Sequence, residues 1–286
     1  MGMRFRLKWF FPMLIVAVVS GVAAAPARSQ SIALITDVAG PVTGAAPVTI
    51  LSEITADTRL QLGAGARLVA IYLKSGDEYT FRGPAQVHFA AGEPRMIQGA
   101  RPVRKANPLG KGGNVTIKPV GVTQAAYVMR SGRSTARIKL LTLSGTKTLD
   151  TSPEFRWRGF GQGVKYRVEL TDDTGRSLFE AEVEDTAIRL PETIALREGA
   201  SYSWEVSTRA ADNRRYVTGG DFSVASAELR AEAEALRPPA DSPVSQRVAF
   251  AAWLEQVALR DEARRYWREL SAERPDDEKL KALAAE

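Results

Sequence analysis

The chain has 286 residues, no cysteine and one histidine, His88. Without cysteine there are no disulfides, no thiol nucleophile and no thiolate metal site, and a single imidazole cannot build a histidine metal cluster. A Ser-His-Asp arrangement would have to use His88. That residue alternates with Val87 and Phe89, so it points to the opposite, solvent-facing side of its strand. Long apolar runs are also scarce. The single one, Trp9 to Ala25, is about 17 residues, at the short end of the roughly 20 needed to span a bilayer. Acid is missing from one region: between Pro94 and Leu149 there is no Asp or Glu, while Lys and Arg recur throughout. An exported chain without disulfides must rely on its hydrophobic core, which fits a bacterial periplasmic protein better than a eukaryotic secreted one.

The chain does have a leader. Arg4, Arg6 and Lys8 precede the apolar run, and Ala25-Pro26-Ala27 follows it. A basic start, a short apolar stretch and an Ala-x-Ala site predict a signal peptide over residues 1–29 and a periplasmic location, the alternative being an uncleaved anchor. No second apolar run of that length predicts a membrane span after processing.

From residue 30 to 93 the chain reads as short strands. In Arg67 to Leu73, Leu68, Ala70 and Tyr72 fall on one face and Val69, Ile71 and Leu73 on the other, which predicts a strand buried on both sides. Ser75-Gly76-Asp77 and Gly83-Pro84 are turn signals between alternating segments, a pattern of a β-sandwich or roll. Three runs carry a resemblance: Ile35-x-x-Val38-x-Gly40-x-Val42, Leu60-x-x-Gly63-x-x-Ala66-x-Leu68 and Leu73-x-Ser75-Gly76-Asp77-x-Tyr79-x-Phe81. In these the segment resembles the FecR-type periplasmic β-domain. The resemblance implies a non-catalytic domain of envelope signalling or cell-surface binding. Regulators of that type carry a cytoplasmic helical segment and a membrane helix before the domain, whereas here a leader precedes it.

Residues 94–144 read as a basic linker or added strands. Arg101, Arg104, Lys105, Lys111 and Lys118 are the candidate contacts to an anionic envelope polymer, set against the reading of a solvated linker. Export and a single stacking aromatic, Tyr127, argue against nucleic acid. Residues 145–225 read as a series of alternating strands. Phe155 and Trp157, then Tyr166, Val168 and Leu170, then Gly199-x-x-Tyr202-x-Trp204-x-Val206 predict an immunoglobulin-like sandwich. The segment looks like a fibronectin type III domain, with Tyr202 at the tyrosine corner.

Residues 226–286 switch to helical period. Ala227 to Leu236, Val244 to Leu259 and Asp261 to Glu273 are predicted helices. Ala251, Leu254, Ala263, Trp267, Leu270 and Pro275 resemble a tetratricopeptide hairpin, with Arg247 where that motif usually has an early tryptophan. One hairpin cannot bury both of its faces. Leu236, Trp253 and Leu280 are therefore candidate partner-binding residues, for another envelope protein or a second copy, unless the chain covers them itself.

The fold class expected is mainly β with a C-terminal α segment: a small sandwich or roll, an immunoglobulin-like sandwich, then a helical hairpin. No catalytic residue, metal ligand or cofactor is implied. Asp172 and Asp173 sit in a hairpin turn, where Asp bonds locally, and Gly110-Lys111-Gly112-Gly113 lacks the spacing of a phosphate loop. The expected function is a non-catalytic exported binding or scaffold module for a partner protein or an envelope polyanion. A FecR-type sensor and a carboxylate-based glycan hydrolase are the alternatives. Mass spectrometry of the exported protein is expected to place its N-terminus between Arg28 and Ser31; an intact Met1 in the membrane fraction would contradict this.

Overall fold

Period-two alternation builds the first unit, and the same alternation explains why it needs help from elsewhere in the chain. The structure, a computed structural model, describes residues 30–107, 138–160, 163–209 and 213–285. The first unit comprises β1 (Ser31–Ala39), β2 (Val42–Thr43), β3 (Glu53–Thr55), β4 (Thr58–Leu62), β5 (Arg67–Tyr72), β6 (Asp77–Arg82), β7 (Ala85–Phe89), β8 (Pro94–Gln98) and β9 (Val103–Ala106). These strands form a five-stranded sheet, β3-β1-β5-β6-β9, and a four-stranded sheet, β2-β4-β7-β8. Leu60, Leu62, Val87 and Phe89 of the smaller sheet meet Ala33, Ile35, Leu68, Ala70, Tyr72 and Phe81 of the larger. Phe81 and Phe89 stand 5.7 Å apart between the sheets. Where the chain turns, Gly83 passes so close to Gly63 that a Cβ would lie 1.8 Å from the Gly63 carbonyl oxygen, so no larger residue fits.

This unit reaches past residue 93. β8 pairs with β7, and β9 pairs with β6, so the start of the segment read as basic linker or added strands adds a strand to each of the first unit's two sheets. All four residues of β9 are exposed. An edge strand with solvated, basic side chains has no alternation to reveal it.

The second unit contains β10 (Lys139–Leu140), β11 (Thr146–Thr148), β12 (Glu154–Arg158), β13 (Tyr166–Asp172), β14 (Ser177–Val183), β15 (Ala187–Arg189), β16 (Ser201–Arg209) and β17 (Arg215–Val224). Sheets β10-β12-β15 and β11-β17-β16-β13-β14 face each other as a sandwich, with β11 parallel to β17. Phe155 lies 5.0 Å from Trp204, and Trp157 lies 5.5 Å from Tyr166, ring centre to ring centre across the core. The Trp204 indole N–H donates to the Leu143 carbonyl at 2.8 Å. The Tyr202 hydroxyl accepts from the Arg197 N–H at 2.8 Å, the closure expected of a tyrosine corner.

Four helices follow: α1 (Ala227–Leu236), α2 (Val244–Gln256), α3 (Arg260–Glu273) and α4 (Glu278–Ala285). Ser226 caps α1 by accepting from the Leu229 N–H. Asp277 caps α4, accepting from the N–H groups of Lys279 and Leu280. Arg247 holds α2 to the end of α3 through a two-pronged pair with Glu273.

The helical layer lies on the outer face of the five-stranded sheet. Leu34 of β1, Ile71 of β5 and Ile50 join Ala249, Phe250, Trp253, Trp267 and Leu270 in one apolar cluster. The strand predicted to be buried on both faces is so because the chain's C-terminal helices cover its far side. This corrects the assignment of partner-binding residues: Trp253 and Leu280 are 2% and 0% exposed, and Leu236 is half-buried against the same cluster. The surface that one hairpin leaves over is covered within the chain, by the sheet and by α1 and α4.

Two sets of polar contacts fix this layer. The Asp37 carboxylate on β1 is fully buried; Arg274, just after α3, donates to Oδ1 at 2.6 Å, and Arg67 of β5 lies 3.0 Å from Oδ2. On the other side, the Lys147 N–H donates to the Ala258 carbonyl at 2.7 Å, and the Arg260 N–H donates to Thr146 Oγ1 at 3.0 Å. The helices therefore contact both β units. Arg274→Ala leaves a buried carboxylate with one cation instead of two. It is expected to lower stability by about 2 kcal/mol, the scale of a charged hydrogen bond, in urea denaturation. The Asp37→Asn background should shrink that effect; an equal loss in both backgrounds would show that the pair carries no coupling.

Candidate functional site

Strand pleating brings one set of cations to the second unit's smaller sheet. In β12, Phe155 and Trp157 point into the sandwich, so Arg156 and Arg158 point outward. Lys139 of β10 pairs in register with Arg158 and stands beside it. Helical spacing brings a second set. Arg264 and Arg268 are four residues apart on α3, while Ala263, Tyr266, Trp267 and Leu270 take the buried side.

The junction described above sets these two groups facing each other. The Leu143 N–H donates to Asp261 Oδ2 at 2.8 Å, tying the start of α3 to the loop after β10. Between the sheet and α3–α4 lies a cleft of 430 Å³ lined by five cations: Lys139, Arg156, Arg158, Arg264 and Arg268. Leu140, Leu141, Ala187, Ala284 and Ala285 supply apolar surface in the same cleft, and Leu141 is 37% exposed. Thr142, Thr186 and Trp157 complete the lining.

Among the described residues that line it there is no carboxylate or imidazole. Arg264 is engaged by Asp261 at 2.7 Å, and Arg156 lies a loose 3.8 Å from Glu154. Lys139, Arg158 and Arg268 make no ion pair among the described residues. Like charges held together in a concave site raise the local potential and attract anions. A site of this composition can hold an anion.

The described polyanion candidates read from the sequence, Arg101, Arg104 and Lys105, do not line it. Arg104 donates to Asp77 Oδ2 at 2.8 Å and lies 5.9 Å from the Tyr79 ring centre. Its guanidinium holds the Asp77 carboxyl below the usual carboxylate range. Arg101 and Lys105 are exposed near β9, away from the cleft. Lys111 and Lys118 lie outside the described residues. The residues that do assemble, apart from Lys139, come from regions where acid and base are mixed, so a search for acid-free sequence passes over them. Two local signals mark them: Arg156 and Arg158 interleaved with Phe155 and Trp157, and Arg264 and Arg268 at one helical turn.

The other candidates are accounted for locally. Asp172 Oδ1 accepts from the Thr174 N–H, the Thr174 hydroxyl and the Arg176 N–H, so the turn uses it. His88 Nε2 lies 3.1 Å from Asp57 Oδ1 on the outer face of the four-stranded sheet. Among the described residues no group of three His, Cys, Asp or Glu is placed to hold a metal ion.

No family profile and no curated protein matches the chain. Among solved structures, CopC from Methylosinus trichosporium OB3b is similar at 18% identity, over 32% of this chain and 95% of that one, with a TM-score of 0.25. PorZ, a bacterial surface component of the type-IX secretion system of Porphyromonas gingivalis, is similar at 10% identity, over 55% of this chain and 21% of that one, with a TM-score of 0.22. Neither likeness bears on what this chain binds.

One buried carboxyl gives a pH test of the helical cover. Glu78 of β6 is 7% exposed; burial raises its pKa, opposed in part by hydrogen bonds from Asn107 and from Ser245 of α2. Between the unfolded and the raised folded pKa the native state holds more protons than the unfolded one, so stability falls as pH rises through that window. Glu78→Gln is expected to remove this slope, making the variant more stable than the parent near neutral pH and closer to it near roughly pH 4–5. Denaturant midpoints measured across the range check it, and a parent that gains stability over the same window would contradict it.

Proposed function

We propose that the chain is a non-catalytic binding module, exported to the bacterial envelope, whose cleft engages an anionic envelope partner. The observation that carries this reading is the juxtaposition of Lys139, Arg156, Arg158, Arg264 and Arg268 in one cleft, with no carboxylate among the described lining residues. Opposed cationic walls on rigid elements pre-organise an anion site. Export rests on Arg4, Arg6, Lys8 and the Ala25-Pro26-Ala27 site, which lie outside the described residues. Among the described residues no helix is long and apolar enough to cross a membrane.

The FecR-like reading of the first unit belongs to the same proposal. It is supported by the jobs its motif glycines do: Gly40 and Gly76 adopt positive φ at turns, and Gly63 sits in the close approach to Gly83. An anionic polymer is favoured over a protein docked on the helices, because the apolar stripes of α2 and α3 are used within the chain.

The test is binding of the processed chain to purified anionic envelope polymer by calorimetry. Arg158→Ala with Arg268→Ala should weaken binding by roughly tenfold or more, since two cations with no ion pair among the described residues are lost, at about 1 kcal/mol each. Binding by the parent should also weaken with added salt. Both side chains are exposed, so the thermal midpoint should hold. Unchanged affinity in the double variant would refute the assignment.

A further inference from the structure

We infer that the anion taken by this cleft is a phosphate ester rather than a carboxylate, an inference that rests on the cleft being an anion site. Three observations point to it. First, the cations stand on two opposed walls. Arg156 and Arg158 project from β12, and Arg264 and Arg268 from α3. A carboxylate presents two oxygens whose acceptor sites lie in one plane, the geometry matched by a planar guanidinium fork. A phosphate directs its oxygens tetrahedrally and can engage both walls at once.

Second, four of the five lining cations are arginine. Guanidinium donates in a planar fork and is more weakly hydrated than ammonium, which suits close, multidentate contact with phosphate oxygens. Arg264 is already positioned by the Asp261 carboxylate, so its guanidinium is oriented before a ligand arrives. Third, apolar surface adjoins the cations. Leu140, Leu141, Ala187 and Ala284 offer a resting place for the organic body of an ester, which inorganic phosphate lacks.

The test compares small anions of equal charge on the processed chain. Glycerol 3-phosphate and succinate are titrated by NMR, beside monomeric dihexanoyl phosphatidic acid. The phosphates are expected to bind at least tenfold more tightly than succinate. Arg156→Lys with Arg158→Lys keeps the charge and should remove that preference while retaining salt-dependent attraction to the anionic polymer. Tighter binding of the acylated phosphate identifies a lipid headgroup as the source, and equal binding identifies a phosphate-bearing polymer. Equal affinity for succinate and glycerol phosphate overturns the phosphate inference and leaves the anion site standing. Polymer binding with no response to either phosphate overturns it as well. No binding of the polymer or of any small anion removes the underlying site.

Discussion

A β-sheet that is apolar on both faces has to be covered twice, and the first unit supplies one cover. Its four-stranded sheet packs on one side of β3-β1-β5-β6-β9; on the other, Leu34, Ile50 and Ile71 would meet water. Exposing three such side chains costs roughly 5 kcal/mol or more, comparable with the net stability of a whole domain. The last sixty or so residues provide the second cover, as α2 and α3 close over that face with Phe250, Trp253, Trp267 and Leu270. Asp37 then fixes their position, because a fully buried carboxylate must keep its cations, and one of them, Arg274, follows α3.

The cleft is a consequence of that packing. Helices set against the first unit also donate to and accept from β11 and the loop before it, through Ala258, Arg260 and Asp261. Their free side, carrying Arg264 and Arg268, is thereby held opposite the outward face of β12. Neither group of cations would be concave alone. A sheet face with Arg156 and Arg158 is an ordinary solvated surface, and so is one turn of a basic helix.

Much of the architecture was legible because alternation and helical period are local properties. Leu68, Ala70 and Tyr72 against Val69 and Ile71 marked a doubly buried strand, and Gly199-x-x-Tyr202-x-Trp204 marked the corner of a sandwich. The identity of the covering surface was not legible. Trp253 and Leu280 read as outward-looking because the stripe they belong to is longer than one hairpin can use, and only tertiary structure shows that β1 and β5 fill the gap. β9 escaped detection for the reason edge strands do: solvated on its exposed sides, it keeps no hydrophobic period. The cleft was illegible as a unit, since Lys139 and Arg268 are far apart in sequence, and clusters made by folding leave no run of like charge. The acid-free segment was the conspicuous charge signal, and of its described cations only Lys139 lines the cleft, while Arg104 pairs with Asp77.

The most direct test of this account is a chain ended after Ala225, which keeps both β units and removes the helices. The account predicts a first unit with a lower unfolding midpoint that exposes apolar surface to a hydrophobic dye, together with loss of anion binding. A truncated chain that keeps the midpoint of its first unit, stays dye-silent and still binds the anionic polymer would contradict the claim that the helices are both the cover of the sheet and a wall of the site.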